Sequence, residues 1–541
     1  MIRVLKALCV VCCAAFLVSA QTPRKQFEQL TTARLALIPD FVLPDIYKDR
    51  TAHPLPASVD NSKLKCFPPY NWSIDGWCCA NAVGASYCYN YEVCNLQDTA
   101  NGGSSPKYTY EYTYHMLDGG NQATGGDGWM FLDVFEQAKK TGIMTSTDFG
   151  GFEWGNGFAG WASGYDKYYR AMKVRAQEYY KIDVSLAGSD ELVKQYIYDH
   201  GDQSAHGGLM AVQVDDGTWA TGTVSGKRVF TKLGGGGGHA LTVCGYDDTF
   251  DGGAYLLCGN WGEGFYWAPY SLFKNGAGWY PDNTSAPFLN NKYFMGVRIK
   301  KAYSPKFTFK VSLTHNQRNQ LSMLTGAASS TTATAPSTTT NYYALVNYTG
   351  GSLPLCGGGQ SSTIELGLDL TDFSSVLVNG QGTVFLQITS KGGTGQVNSL
   401  SVMDYTGATV KEIPCSQTNV AINGTITMKV PLSLAVPVEH MEREMQMLHQ
   451  GNGLFAKFNS GLHSVLFTFA GENVRSAVLQ IRDINGRTVL TKACSGGSSA
   501  TWDLKDFAGR KVGPGAYVAS VNVPGTSGAF GNLSTKVLVT D

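Results

Sequence analysis

The chain has 541 residues, in which 42 Lys and Arg balance 42 Asp and Glu. This length exceeds what one hydrophobic core usually organises and predicts about three domains. The balanced charge removes the general electrostatic attraction that nucleic acid or an anionic membrane surface requires, so neither is expected as a partner.

The first twenty residues have the pattern of a secretory signal peptide. Arg3 and Lys6 precede an apolar run over residues 7–18, and the small residues Ser19 and Ala20 follow. The run is shorter than the roughly 20 apolar residues of a spanning helix, so no membrane span is predicted. We expect residues 1–20 to be removed and the product to be secreted or held at the cell surface.

Residues 21–54 are polar and contain four prolines, which predicts an N-terminal arm or a short leader. Residues 55–301 are rich in Trp, Tyr and Gly. A helix is predicted after Cys78 and strands are predicted at 240–245 and 254–258. A helical part followed by a sheet indicates an α+β domain.

The remainder predicts two all-β, sandwich-type modules at 302–436 and 452–541, separated by a charged linker at 437–451. In the first module, alternating patterns mark strands at 306–311 and 382–388. The Ser/Thr-rich stretch 329–340 is expected to be an exposed loop. In the second module, the predicted strands are 477–482, 488–492, 516–523 and 534–540.

Cysteine usage fits export. Thirteen cysteines minus the three in the signal, Cys9, Cys12 and Cys13, leave ten in an oxidising compartment, where some are expected to pair. Cys356 and Cys415 could form one such disulfide within the module at 302–436. If Cys78 stays free, nine remain, so at least one other thiol is unpaired or bridged between chains.

The segment from Leu55 to Gly84 resembles the papain family. It contains L-P-A-S-V-D at 55–60, Pro68 ten residues before Cys78, and G-W-C-C-A-N-A-V-G at 76–84. The resemblance, which extends over roughly residues 55–300, implies the papain fold with Cys78 as nucleophile. A Cys in the first turn of a helix has a lowered thiol pKa, which suits that role. The alternative is that Cys78 and Cys79 are structural or disulfide cysteines.

The segment G-H-A-L-T-V-C-G-Y at 238–246 resembles the strand that carries the family's catalytic base, which implies this role for His239. The separation from Cys78 is 161 residues, somewhat more than the roughly 130 to 150 typical of such enzymes, and a loop insertion accounts for it. A lone His among apolar neighbours is more often a core residue, which remains the alternative.

Two positions depart from the family pattern. Aligning Trp261 with the family's N-S-W-G motif places Gly259 where the orienting Asn stands, so Asn260 is the nearest substitute. Neighbours on a strand face opposite sides, and Asn260 therefore needs a bulge or a shifted turn to reach His239. Trp72 occupies the position of the oxyanion-hole Gln, and losing one such donor costs about 2.7 to 4 kcal/mol.

Gly125 and Gly126 precede a helix predicted at 131–141 and resemble the glycines with which the family holds an extended substrate. Strand-like pairing of substrate backbone is the implied role. A turn before a helix is the alternative, because Gly pairs commonly mark turns.

The pattern W-D-L-K-D-F-A-G-R-K-V-G-P-G-A-Y at 502–517 resembles immunoglobulin-like modules of bacterial exported proteins, related to hook-cap and type IX secretion sorting domains. The resemblance implies sorting, surface attachment or contact with secretion machinery. In physical terms, the Asn485-Gly486 and Gly513-Pro514-Gly515 turns are also compatible with a purely structural module.

These patterns predict a secreted cysteine peptidase that hydrolyses a peptide or protein substrate with Cys78 and His239 and needs neither a metal nor an organic cofactor. A second hypothesis is an inactive papain fold that binds peptide or glycan at a cell surface. A third is transpeptidase or amidase action on cell-wall peptides.

Overall fold

The computed structural model divides the chain into two compact units, Met1–Ser433 and Leu434–Asp541. It describes residues 36, 38–49, 51–69, 82–101, 106–117, 131–150, 160–202, 204, 206–214, 218–233, 239–259, 264–274, 292–342, 352–357, 361–377, 380–432, 454–459, 464–469, 477–483, 486–494, 499–513, 515–524 and 530–539. The predicted signal peptide and the predicted linker at 437–451 lie outside these ranges.

All α-helices of the described ranges lie in the first 274 residues. They are α1 Asn90–Leu96, α2 Tyr110–Leu117, α3 Phe131–Thr141, α4 Ser146–Phe149, α5 Tyr165–Met172, α6 Ser189–Asp199 and α7 Tyr270–Lys274. Short 3₁₀ turns lie at Asp45–Lys48, Asn61–Lys63, Arg318–Gln320 and Thr371–Phe373.

A nine-stranded sheet accompanies these helices in the first unit. Its strands are β1 Ser58–Asp60, β2 Ala176–Asp183, β3 Met210–Val214, β4 Ala220–Val224, β5 Lys227–Lys232, β6 His239–Asp247, β7 Ala254–Cys258, β8 Phe265–Pro269 and β9 Tyr293–Ile299. The order is β2-β9-β3-β6-β7-β8-β5-β4, with β1 added along β6. The strands predicted at 240–245 and 254–258 are therefore confirmed as β6 and β7.

The helix predicted to follow Cys78 is present from Ala82 onward. Wide π-helical turns over Ala82–Tyr89 continue directly into α1, and we call Ala82–Leu96 the central helix. It packs against β3, β6 and β9. Small residues allow close approach on its other side, because a Cβ added to Gly84 would lie 2.9 Å from Cγ1 of Val134 on α3. The helix predicted at 131–141 is confirmed as α3.

The described part of the predicted arm is built into this domain. Ile38 and Phe41 are 1% and 5% exposed. Backbone hydrogen bonds join the arm to β2, with the Phe41 amide donating to the Lys181 carbonyl at 2.9 Å and the Lys181 amide donating to the Pro39 carbonyl at 3.0 Å. Residues 38–41 therefore extend the sheet edge and fill part of the core.

The described residues between 307 and 432 form two sheets. Their strands are β10 Phe307–His315, β11 Leu321–Ala328, β12 Thr338–Asn341, β13 Thr363–Asp369, β14 Gly382–Ser390, β15 Gly395–Asp404, β16 Lys411–Pro414, β17 Val420–Ala421 and β18 Thr425–Leu432. One sheet has the order β13-β10-β15-β16 with β17 on β15, and the other has the order β12-β11-β14-β18. The strands predicted at 306–311 and 382–388 are confirmed as β10 and β14.

Two sequence expectations for this module are corrected. The stretch 329–340 is not entirely loop, because Thr338–Asn341 pairs with β11 as an edge strand. Cys356 and Cys415 do not staple the module, since both are free thiols. Each instead lies near a backbone carbonyl, that of Thr363 at 3.3 Å and that of Lys429 at 3.4 Å respectively.

The two sheets of residues 307–432, which we call the β module, pack tightly on the helices that precede them in the same unit. Helix α5 lies on β13, where a Cβ added to Gly367 would come within 2.8 Å of Met172 and Tyr168. The Tyr165 hydroxyl is hydrogen bonded to the Tyr405 hydroxyl at 2.7 Å. Tyr405 also stacks on Tyr169, with ring centroids 4.3 Å apart.

A buried ion pair lies in this contact. Arg175 Nη1 donates to Asp369 Oδ2 at 2.7 Å, and the two side chains are 3% and 0% exposed. The remaining guanidinium donors reach Asp372 Oδ2 at 2.7 Å, the Lys139 carbonyl at 2.7 Å and the Tyr303 hydroxyl at 3.2 Å. Burial opposes the charged form of Arg175, but the surrounding acidic groups outweigh it and raise its pKa.

His115 on α2 gives this unit a predicted pH dependence. Burial and the charge of Arg318 lower the pKa of His115 to about 4 from 6.5. Between pH 6.5 and pH 4 the unfolded chain therefore binds more protons at His115 than the folded chain does. The contribution of the neutral His115 to the free energy of unfolding is fully present above pH 6.5 and is lost as the pH falls towards 4. The loss is about 3 kcal/mol at 1.36 kcal/mol per pKa unit.

The difference between wild type and His115→Gln in urea unfolding free energy, measured from pH 7 to pH 4, isolates this contribution from carboxylate titration. The exposed His206→Gln variant is the control and should follow the wild type. Parallel pH profiles for wild type and His115→Gln would contradict the assignment.

The second unit contains two sheets in its described residues. The strands are β19 Leu454–Asn459, β20 Ser464–Phe469, β21 Ala477–Asp483, β22 Thr488–Cys494, β23 Ser499–Trp502, β24 Gly515–Pro524 and β25 Phe530–Val539. The orders are β19-β20-β23 and β22-β21-β24-β25. Trp502 is fully buried between the sheets, and the four predicted strands are confirmed as β21, β22, β24 and β25.

Candidate active site

His239 is the one predicted site residue that the described ranges contain. It opens β6, pairs with Val214 at the end of β3 and is 5% exposed. Cys78, Trp72, Gly125, Gly126 and Asn260 lie outside the described residues, so their predicted roles remain predictions.

The central helix packs on the strand that His239 opens. The central helix begins at Ala82, four residues after Cys78, and packs on β6. This contact joins two segments that are more than 150 residues apart in the sequence.

Trp219 is a neighbour of His239 that the sequence did not reveal. The two rings meet edge to face, with centroids 5.7 Å apart and planes at 85°. Trp219 in turn packs on Phe230 at 5.3 Å, in the aromatic part of the core. A ring contact of this kind limits the orientations that are open to the imidazole. The sequence around Trp219 matches no motif, so only the fold identifies it.

The chain that leads to Asn260 passes the same end of the sheet. Thr242 pairs with Cys258, the last residue of β7, so Gly259 follows at the end where β6 begins with His239. The Gly259 amide donates to the Gly264 carbonyl at 2.9 Å, which closes the connection that contains Asn260. The β6–β7 register also shifts between Val243 and Gly245.

The described cysteines are poor alternatives to Cys78 as nucleophile. All seven are free thiols, so the expected disulfides are not seen among them and stay a prediction. Burial raises the pKa of the Cys66 thiol to about 11 and holds the pKa values of Cys88 and Cys244 well above normal. Burial also raises the pKa values of Cys94 and Cys356. A raised pKa depletes the reactive thiolate at neutral pH.

A cavity of about 590 Å³ lies at the C-terminal end of the central helix, away from Ala82. Its lining includes Glu92 and His200, which are hydrogen bonded at 2.7 Å and nearly buried. No cysteine lines it among the described residues, which makes it a poor site for thiol chemistry. Nor do the described residues contain a cluster of three or more His, Cys, Asp or Glu side chains able to hold a metal ion.

No protein-family model and no curated protein matches the chain. Similar solved structures include procathepsin B from Trypanosoma congolense, at 12% identity and a TM-score of 0.30, covering 51% of this chain and 87% of that one. PorZ, an essential surface component of the type IX secretion system of Porphyromonas gingivalis, is 12% identical, with 30% and 29% covered and a TM-score of 0.14.

Dimeric latent PorU from Porphyromonas gingivalis is 11% identical, with 61% of this chain and 29% of that chain covered and a TM-score of 0.15. The chain thus spans less than a third of PorZ and of PorU. Similarities of this size assign neither a family nor an activity. Within the described residues, no helix is long and apolar enough to cross a membrane.

Proposed function

We propose that the chain is a secreted papain-like cysteine peptidase in which Cys78 is the nucleophile and His239 the base. The observation that carries the proposal is the packing of the central helix, which follows Cys78, against β6, which starts at His239. The papain-like motifs around both residues supply the chemistry. The raised pKa values of five described thiols leave Cys78 with few competitors.

In this mechanism His239 takes the thiol proton and the Cys78 thiolate attacks the substrate carbonyl carbon. As the tetrahedral intermediate collapses, the C–N bond breaks and the imidazolium gives its proton to the leaving amine. Water, deprotonated by His239, then attacks the thioester. The acid product leaves and the thiol is restored, so the cycle consumes one water and needs no cofactor or metal.

The remaining predicted residues have supporting roles in this proposal. Asn260 orients the imidazole, together with the edge-to-face contact from Trp219. Trp72 and the Cys78 amide are the candidate oxyanion donors, and Gly125 and Gly126 hold extended substrate. The C-terminal module would serve sorting or attachment at the cell surface.

Thiol labelling tests the nucleophile. Iodoacetamide or an epoxide peptide inhibitor should alkylate Cys78 faster than any other cysteine, because His239 and the helix terminus favour its thiolate. The rate should fall in His239→Ala. Mass spectrometry of the labelled peptides identifies the site.

His315→Ala is the matched control, since His315 is a buried histidine of the β module. Its labelling rate should equal that of the wild type. Preferential labelling of Cys79 or Cys66, or recovery of Cys78 in a disulfide, would contradict the nucleophile assignment.

The second candidate function is an inactive papain fold that binds peptide or glycan. The presence of Trp72 and Gly259 at two positions of the family's catalytic machinery favours it. Under this hypothesis the chain binds peptide without turnover, and Cys78→Ala binds as well as the wild type.

A further inference from the structure

Residues 38–49 lie within the predicted leader, and the domain holds this segment, which we call the strap, at two places. The first is β2, where the buried Lys181 side chain reaches the strap twice. Its ammonium group donates to the Ile38 carbonyl at 2.6 Å and pairs with the Asp40 carboxylate at 2.8 Å. With the two backbone hydrogen bonds between the strap and β2, these contacts fix the path of residues 38–41.

Phe41 anchors the strap in the hydrophobic core. Its ring meets those of Tyr180 and Tyr196 edge to face, with centroids 5.8 and 5.4 Å away. The strap also lies directly against the loop that follows α6, because a Cβ added to Gly201 would come within 2.6 Å of Leu43 and 3.2 Å of Phe41. Contacts this close leave no room for water between the strap and the loop at that point.

The second place is the C-terminal end of α6. The Tyr47 hydroxyl donates to Oδ2 of Asp199 at 2.9 Å, and both residues are buried. Oδ1 of Asp199 accepts the Gln195 side-chain amide at 2.7 Å and the Gly201 backbone amide at 2.9 Å. A buried carboxylate is stable only where such donors replace the water it has lost. Of these three donors, Tyr47 is the one that the strap supplies.

The turn that the strap supports contains a residue in an unfavourable backbone conformation. His200 has a φ of +57°, in the left-handed region that residues other than glycine rarely adopt. Such a conformation persists where the surrounding structure holds it. The strap holds the two residues that flank His200, and Nε2 of His200 is hydrogen bonded to Oε1 of Glu92 at 2.7 Å. Glu92 belongs to the central helix, so one turn joins the strap to the central helix.

A removable leader and a structural strap place opposite demands on the surface beneath them. A leader that is cut away has to uncover a surface that is stable in water. Loss of residues 38–49 would instead uncover the β2 edge, empty the space that Ile38 and Phe41 fill and take the Tyr47 donor from a buried carboxylate. The empty space and the lost hydrogen bond both destabilise the fold. The strap therefore has the contacts of a core element.

We propose that residues 38–49 remain in the mature protein as a permanent strap, which holds the turn at 199–201 and, through His200 and Glu92, the central helix. N-terminal processing of the secreted chain then ends at or before Ile38. The structural role depends on the first unit alone. The regulatory consequence rests on the proposed function: the peptidase is active with the strap in place and needs no release of residues 38–49.

Hydrogen exchange followed by mass spectrometry tests the contact with α6. Tyr47→Phe removes only the hydroxyl, so peptides that contain residues 199–201 should exchange about 10-fold faster than in the wild type. The increase should extend to peptides that contain Glu92 and leave those of α3 unchanged. Tyr198→Phe is the matched control and should exchange like the wild type, since Tyr198 lies on the same helix and is 42% exposed. An unchanged rate at 199–201 in Tyr47→Phe overturns the support of this turn by the strap.

The N-terminus of protein recovered from the producing cell tests whether the strap is retained. Terminal sequencing should find a first residue at or before 38. A folded protein whose first residue lies beyond 38 overturns the proposal.

Two truncated chains separate a strap from an inhibitory leader, because a chain that begins at residue 36 keeps the whole strap and one that begins at residue 50 lacks it. The shorter chain should unfold at a temperature at least about 5 °C lower. It should also hydrolyse a fluorogenic peptide at least about 10-fold more slowly, whereas the release of an inhibitory leader would speed hydrolysis. Equal unfolding temperatures with faster hydrolysis by the shorter chain overturn the strap. If neither chain hydrolyses the peptide, the proposed function fails, and the unfolding temperatures and exchange rates still decide the strap.

Discussion

Replacing Arg175 by Met should lower the free energy of unfolding of the first unit by about 3 to 5 kcal/mol. The substitution leaves the Asp369 carboxylate, which is 0% exposed, without its ionic partner. Breaking a buried ion pair has an effect of this size because the remaining charge is uncompensated. Unfolding of the purified chain in guanidinium chloride measures the change in free energy.

Arg170→Met is the matched control. Arg170 also pairs with an aspartate, Asp148, through Nη2 at 2.6 Å, but its side chain is 54% exposed. An exposed pair contributes about 0 to 1 kcal/mol. Adding Asp369→Asn to Arg175→Met should recover part of the loss, because it removes the uncompensated charge and keeps an acceptor for Tyr303. Equal losses in Arg175→Met and Arg170→Met would show that the buried pair does not hold the unit together.

The Arg175 contact also bears on how the unit is organised. The helical part supplies Arg175 and α5, whereas Asp369 and Tyr405 come from the β module. A fragment that ends near residue 301 would expose the buried guanidinium and the tyrosines of α5 to water. We therefore expect residues 36–432, rather than 55–301, to be the smallest fragment that keeps this fold.

Local patterns in the sequence predicted many of the elements. Apolar alternation located β10, β14, β21 and β24. In the structure, Gly142 follows directly on α3. Gly142 has a φ of +72°, and a Cβ there would lie 1.9 Å from the Ala171 carbonyl oxygen. Such positions are predictable because backbone geometry and alternation act over a few residues.

Long-range contacts were not predictable in the same way. Arg175 and Asp369 are 194 residues apart, and neither lies in a motif. The position of Ile38 in the core likewise depends on pairing with β2, a strand about 140 residues later. Single-sequence patterns carry no information on which distant surfaces meet, so they predict the arm and the β module as separate segments.

The candidate site likewise contains one residue that a sequence motif predicts and one that only the fold shows. The motif around His239 predicted its strand, and the fold places that strand against the central helix. Trp219 is not predictable from the sequence, because it lies just before β4 and only the fold brings it into contact with His239 at the start of β6. The roles of Asn260 and Trp72 rest on alignment with the papain pattern and are open to direct test.

The catalytic proposal predicts the largest effect. Cys78→Ala should lower hydrolysis of a peptide library by at least about 10³-fold, because no thiolate remains to form the acyl-enzyme.

Substitutions of the two supporting residues, Asn260 and Trp72, should change kcat in different directions. Asn260→Ala should lower kcat about 10-fold or more, since the imidazole loses its orienting partner. Trp72→Gln should preserve or raise kcat, because Gln restores the donor whose loss typically costs about 10²- to 10³-fold.

His315→Ala serves again as a control and should keep full activity. The unfolding free energy of Cys78→Ala should match that of the wild type, which separates lost chemistry from lost folding.

Suppose that the reduced wild type, freed of any leader, cleaves no peptide in the library. If it also binds peptides no differently from Cys78→Ala, the thiol has no chemical role and the peptide-binding hypothesis replaces catalysis. Turnover that depends on Cys78, His239 and Asn260 together would instead establish that the shifted Asn and the substituted Trp72 still support an active site.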